Sequence, residues 1–124
     1  MISAMIAAAS LVSAPPASAA PWQQNWAKTP DGCGSIVFHP SNDSWTLYDR
    51  CEPGWGVIGY WNYKGVKDSW KRIGPMTRGN NRHGNYRSGN LNERRWVYFK
   101  VCLYHPDALP GGCSGPVQWP VNGG

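Results

Sequence analysis

Nine of the twelve basic residues of this chain, Lys64, Lys67, Lys71, Arg72, Arg78, Arg82, Arg87, Arg94 and Arg95, fall between positions 64 and 95, opposed there only by Asp68 and Glu93. The formal charge of +5 is therefore concentrated in one stretch. Arginine presents a planar fork of donors that pairs bidentately with oxyanions. Arg78, Arg82 and Arg87, interleaved with Tyr86 and His83, are accordingly candidates to contact phosphates or anionic glycans. The competing reading is a solvated basic loop that serves only solubility.

A second chemistry lies in the eight tryptophans, Trp22, Trp26, Trp45, Trp55, Trp61, Trp70, Trp96 and Trp119. Exposed indole and phenol faces stack on sugar rings, so an aromatic sheet face suits cell-wall or plant polysaccharides. A small core in which Phe38 and Phe99 are the only phenylalanines must also use Trp and Tyr to fill its volume. Most of the rings are expected inside. Trp96, Tyr98 and Tyr104 are the exceptions, because they alternate with an apolar set along one strand.

Catalytic constellations find little support. General acid and base work by two carboxylates needs a pair in one cleft, whereas Asp31, Asp43, Asp49, Glu52, Asp68, Glu93 and Asp107 are scattered near turns. The trio available for a secreted nuclease is Glu93, His83 and Arg87, in an order that matches no nuclease motif. Gly-x-Ser-x-Gly is absent, and Gly54-Trp55-Gly56 precedes a strand rather than a helix that could hold phosphate. A different class is antagonism of another protein, through residues 106–110 (Pro-Asp-Ala-Leu-Pro) closed by Cys102 and Cys113, since a pre-ordered loop loses little entropy on binding.

The elements that must position these groups read as strands. Gly and Pro are frequent, apolar residues come in short runs between turn clusters, and no stretch after position 20 carries a helical period. Strands are predicted over residues 35–39, 44–51, 55–63 and 95–104. In the last, Val97, Phe99, Val101 and Leu103 should face the core, with Trp96, Tyr98, Lys100, Cys102 and Tyr104 on the other side. A hairpin turn is expected before positions 64–66. Residues 74–90 read as a long loop without apolar periodicity, and residues 105–112 as a loop returning the chain to Cys113. The fold class expected is all-β, a small disulfide-stapled sandwich or barrel-like domain.

All four cysteines, Cys33, Cys51, Cys102 and Cys113, lie after position 20, and none forms a C-x-x-C pair. An even count in a short exported chain reads as two disulfides. Three connectivities are possible. Cys33 with Cys51 and Cys102 with Cys113 is favoured, because each pair brackets one strand, a turn and a return. His39, His83 and His105 show no ligand spacing near them, which argues against zinc, and neither a metal nor a cofactor is implied.

Residues 1–20 open on an apolar run and break at Pro15 and Pro16 before Ala17, Ser18 and Ala19, the apolar region and small-residue site of an export signal cleaved after Ala19, without the Lys or Arg that normally opens such a signal. The apolar run is shorter than the roughly 20 residues a membrane anchor needs. The expected organisation is a signal over 1–19, an extended segment over 20–32, a β domain over 33–119 and a tail over 120–124.

The stretch Asn90-Leu91-Asn92-Glu93, the run from Trp96 to Leu103, Cys113-Ser114-Gly115, and the earlier Tyr48-Asp49-Arg50-Cys51 with residues 54–58 resemble the corresponding segments of small secreted actinobacterial proteins of uncharacterised function. The chain lacks the further cysteine that many of those proteins place before the Asn-Leu segment. The resemblance implies an exported β-sandwich-like module without a recognised catalytic site. The sequence thus points to a secreted monomeric module that binds an extracellular anionic polymer or glycan through Arg78, Arg82, Arg87, Tyr86, Trp96, Tyr98 and Tyr104. An inhibitor of a protein target is the alternative.

Overall fold

The computed structural model describes residues 23–51, 55–63, 69–77 and 82–123. The expected export signal, Trp22, Glu52, Asp68, Arg78 and residues 64–66, before which a hairpin turn is expected, lie outside them. The described residues form nine strands and no helix: β1 (Trp26–Lys28), β2 (Gly34–His39), β3 (Ser44–Asp49), β4 (Gly56–Asn62), β5 (Lys71–Met76), β6 (Arg82–Arg87), β7 (Trp96–His105), β8 (Ala108–Gly111) and β9 (Val117–Pro120).

These strands build two antiparallel sheets. The first has the order β1-β2-β3-β6, and the second has the order β5-β4-β7-β8, with β9 also paired to β7. β7 is long enough to serve three neighbours. On one side Tyr98 to Tyr104 pair β4, and on the other its first residues pair β9 from Trp96↔Pro120 to Phe99↔Val117 and its last residues pair β8. Ile36, Phe38, Trp45 and Leu47 from the first sheet meet Val57, Trp61, Ile73, Val97, Phe99 and Val101 from the second in one buried cluster. The architecture is a two-sheet sandwich. Val97, Phe99 and Val101 are fully buried as their alternation predicts, and Leu103 is half-buried towards the end of the strand.

Gly59 occupies an inward position between Val57 and Trp61. A Cβ there would stand 2.7 Å from Ile36 Cδ1 and 3.2 Å from Ile73 Cβ. The segment before Cys33 supplies β1 to the first sheet, and Val121 after β9 is buried in the shared core. Both disulfides have the favoured connectivity, Cys33–Cys51 and Cys102–Cys113. The first ties the ends of the β2–β3 hairpin beside the Gly34↔Asp49 pair, and the second ties β7 to the residues after β8.

Two stretches expected as loops are strands. Within residues 74–90, β5 finishes at Met76 and β6 occupies Arg82–Arg87. The pattern of β6 was hidden because its inward positions are Gly84 and Tyr86, only half-buried, between exposed polar residues. What makes it a strand is the open edge of β3, against which it pairs from Ser44↔Arg87 to Asp49↔Arg82. Within residues 105–112, Ala108–Gly111 folds back on β7 as β8. The prolines there read as loop residues, but Pro is compatible with an edge strand, where a ladder donor can be spared.

One carboxylate is held inside this frame. Asp49 ends the inward row Trp45, Leu47, Asp49 and is 1% exposed. Its Oδ1 accepts the Cys51 N–H at 3.3 Å, while Oδ2 has no hydrogen-bond partner among the described residues. Burial raises its pKa above the ordinary 3.8, and the Cys51 N–H opposes that shift. Between 3.8 and the raised value the native state binds more protons than the unfolded chain, so stability falls as pH rises through that window and stays lower above it. Asp49→Asn should therefore raise the unfolding free energy at neutral pH by about 1 kcal/mol and flatten its dependence on acid pH. Urea midpoints measured for both proteins at acid and neutral pH check this.

Candidate functional site

Strand alternation sends the even-numbered residues of β4 and β7 to the outer side of the second sheet. Along β7 these are Trp96, Tyr98, Lys100, Cys102 and Tyr104, and same-side residues stand about 6.7 Å apart. Pairing sets Tyr60 of β4 opposite Lys100, and Arg72 of β5 opposite Tyr60. Lys100 Nζ lies 4.7 Å from the centre of the Trp70 ring and 5.6 Å from that of Tyr60. Such a cation is drawn to the negative ring faces, by about 0.5 to 2 kcal/mol depending on desolvation.

Trp96 is 40% exposed, and Tyr98, Tyr104, Tyr60 and Trp70 are half-buried. Burial, first, and then the neighbouring Tyr104 raise the Tyr60 hydroxyl pKa above its ordinary value, while the Arg72 guanidinium pulls it down. The Cys102–Cys113 bridge also belongs to this side, with Ile58 fully buried opposite Cys102. The result is a sheet face of five aromatic rings with two cations among them.

The basic residues expected to act together are divided. On β6, His83, Asn85 and Arg87 leave on the outer side of the first sheet, whereas Arg82, Gly84 and Tyr86 alternate with them. Tyr86 packs against the core, and burial raises its hydroxyl pKa above the ordinary value. Arg82 lines a hollow with Pro75, Met76, Thr77, His83, Gly84 and Tyr86, while Arg87 lines another with His39, Ser41, Asn42, Ser44 and Asn85. Glu93 lines neither, so the trio considered for nuclease chemistry is not gathered in either hollow.

The expectation that most tryptophans are core is corrected. Among those described, Trp45 and Trp61 are buried, Trp119 is half-buried against the core, Trp70 is half-buried, and Trp26, Trp55 and Trp96 are exposed. A core between two short sheets is filled by Phe38, Phe99 and β-branched residues around that one Trp pair. Lys100, Tyr60, Trp70 and Arg72 were not singled out in the sequence. The alternation of Tyr60 with Val57, Gly59 and Trp61 was a signal for one of them, but nothing local shows which strand lies beside it.

The residues therefore define a disulfide-stapled, two-sheet β domain with an aromatic and cationic outer face. Comparison of the chain with protein-family models, with curated proteins and with solved structures finds no match in any of the three. Among the described residues no His, Cys, Asp or Glu side chains gather in threes as a metal-holding group, and no helix is long and apolar enough to cross a membrane.

Proposed function

We propose that the chain is exported and that its domain is a non-catalytic binding module for an extracellular anionic polymer or glycan, engaged by the outer face of the second sheet. The observation that carries this reading is the placement of Trp96, Tyr98, Tyr104, Tyr60 and Trp70 on one face with Lys100 among them. Rings backed by a sheet are already ordered, so stacking a sugar on them costs little conformational freedom. Lys100 and Arg72 add preference for carboxylated or sulfated sugars. Two disulfides are typical of proteins outside the reducing cytosol, in keeping with export.

The test is retention of the domain on insoluble peptidoglycan, chitin, cellulose and heparin beads at low and high salt. Salt screens exposed charge contacts within roughly 8 to 10 Å at 0.1 to 0.15 M, whereas stacking persists. Retention should survive salt and fall roughly thirtyfold in Trp96→Ala, because a truncated aromatic anchor costs about 2 kcal/mol. Retention that is lost with salt and in Arg82→Ser/Arg87→Ser would move the site to β6. Absence of retention on every matrix would overturn the polymer reading.

The alternative, an inhibitor, keeps one favourable feature. Leu109 is 88% exposed on the hairpin that Cys102–Cys113 closes. Inhibition of a subtilisin-like or trypsin-like protease that disappears in Leu109→Asp, together with absence of retention, would select it.

A further inference from the structure

We propose a second site, on the outer side of the first sheet, that binds free inorganic phosphate in its monohydrogen form through His39, Asn42, Asn85 and Arg87. It is independent of the polymer-binding face. Neighbouring strands supply its walls: His39 ends β2, Ser44 and Thr46 stand on β3, and Asn85 and Arg87 on β6, brought together by the pairs His39↔Ser44, Ser44↔Arg87 and Thr46↔Asn85. His39, Ser44, Asn85 and Arg87, with Ser41 and Asn42, border an open hollow of about 580 Å³, and Thr46 lies beneath His39 and Asn85 without lining it.

Hydrogen bonds orient the donors and acceptors. Thr46, only 4% exposed, donates its single hydroxyl proton to Asn85 Oδ1 at 2.7 Å. Its oxygen can therefore only accept from His39 Nε2, also at 2.7 Å, so Nε2 carries the ring proton and the neutral imidazole keeps its lone pair at Nδ1. With its carbonyl oxygen engaged, Asn85 retains its amide N–H groups for a ligand. Ser44 Oγ donates to Asn42 Oδ1 at 2.6 Å, which leaves Asn42 in the same condition.

Charge points the same way. Among the described residues lining the hollow, Arg87 is the one permanent charge and there is no carboxylate. Asp43, in the adjoining turn, does not line the hollow and is buried, with Oδ2 accepting the Leu91 N–H at 3.0 Å and Oδ1 without a hydrogen-bond partner among the described residues. The site thus combines a guanidinium fork and two amides, which donate, with one imidazole nitrogen, which accepts. Monohydrogen phosphate complements that set, since it offers several acceptor oxygens and one O–H. Sulfate and a dianionic phosphate monoester have the oxygens but not the proton, and leave His39 Nδ1 facing a lone pair.

The experiment is titration of the purified domain with inorganic phosphate, sulfate and glucose 6-phosphate at matched ionic strength and about pH 8, where imidazole is ordinarily neutral and a phosphate monoester dianionic. Nuclear magnetic resonance would follow the Asn42 and Asn85 side-chain amides and the Arg87 Nε–H. Phosphate should give saturable shifts at these groups, at least about tenfold tighter than either competitor, because with them the O–H donation to His39 Nδ1 is lost and an oxygen lone pair faces the ring lone pair instead. Arg87→Gln should weaken phosphate at least about tenfold. Thr46→Val, which frees the ring to take either tautomer, should erase the preference for phosphate over sulfate. Because Thr46 is buried, the exposed Asn85→Asp variant serves as a second probe, and it should abolish binding of all three anions by placing a carboxylate in the hollow. Equal affinity for the three anions, or shifts spread over Lys28, Arg50 and Arg72 and unchanged in Arg87→Gln, would overturn the proposal. Trp96→Ala should leave phosphate binding intact, which separates this site from the polymer-binding face.

Discussion

Replacing Trp45 with alanine should lower the unfolding free energy by about 4 kcal/mol, a large share of the roughly 5 to 15 kcal/mol on which a small domain stands. Trp45 is fully buried on β3 and links the two sheets through its ring. Its neighbours are Phe38 on its own sheet, at 4.6 Å between centroids, and Phe99 and Trp61 across the interface, at 5.2 Å edge-on and 6.4 Å stacked. Its indole N–H donates to Ser88 Oγ, which ties the chain after β6 to the core. Truncation removes all of these contacts, and the surrounding strands, held by their ladders, can close only part of the void. Trp45→Phe keeps most of the ring and loses the Ser88 bond, and should cost about 1 to 2 kcal/mol. A shift of the urea midpoint without a change in slope checks both values, because it reports stability rather than compactness.

Removing both disulfides should cost roughly 6 kcal/mol and leave the domain near its limit of stability at 37 °C. The bridged residues are 18 and 11 positions apart, and loops of that size contribute about 3 kcal/mol each in the chain-entropy account. Each bridge also holds a structural feature. Cys33–Cys51 secures the end of the β2–β3 hairpin, where the Arg50 N–H donates to the Cys33 carbonyl at 2.8 Å. Cys102–Cys113 keeps the return from β8 against β7, where the Ser114 N–H donates to the Val101 carbonyl and Ser114 Oγ accepts the Val101 N–H. Thermal melting with and without reductant, and with each Cys→Ser pair, should show a drop of at least about 12 °C for either bridge alone, at 4 to 8 °C per kcal/mol. A reduced domain that melts where the oxidised one does would show that packing alone supports the sandwich.

The two effects differ in what reveals them. The cysteine pairs can be read along the chain, since each brackets a strand and its return. Trp96 is set apart by its alternation with an apolar row, but Trp45 cannot be told apart from Trp55 by composition or spacing, yet the first is buried and the second is exposed. Only the packing of one sheet on the other distinguishes them.

Local chemistry decides which side of a strand a residue leaves from. The alternation of Val97, Phe99 and Val101 with Trp96, Tyr98 and Lys100 is sufficient to identify β7 and its buried face, because the side-chain period of a strand is two residues. Short apolar runs between turn clusters placed β2 and β3, alternation placed β4, and the favoured one of three cysteine connectivities is the one observed. It could not identify β6, whose inward residues are a glycine and a half-buried tyrosine. Nor could it assemble a site. Lys100 meets Tyr60 and Trp70 from far along the chain, and His39 shares a hollow with Asn85 and Arg87 for the same reason. Backbone stereochemistry fixes the face of each strand in isolation. Which strands lie side by side is set by burying Trp45, Phe38 and Phe99 together, a non-local balance that exists only once both sheets are in place.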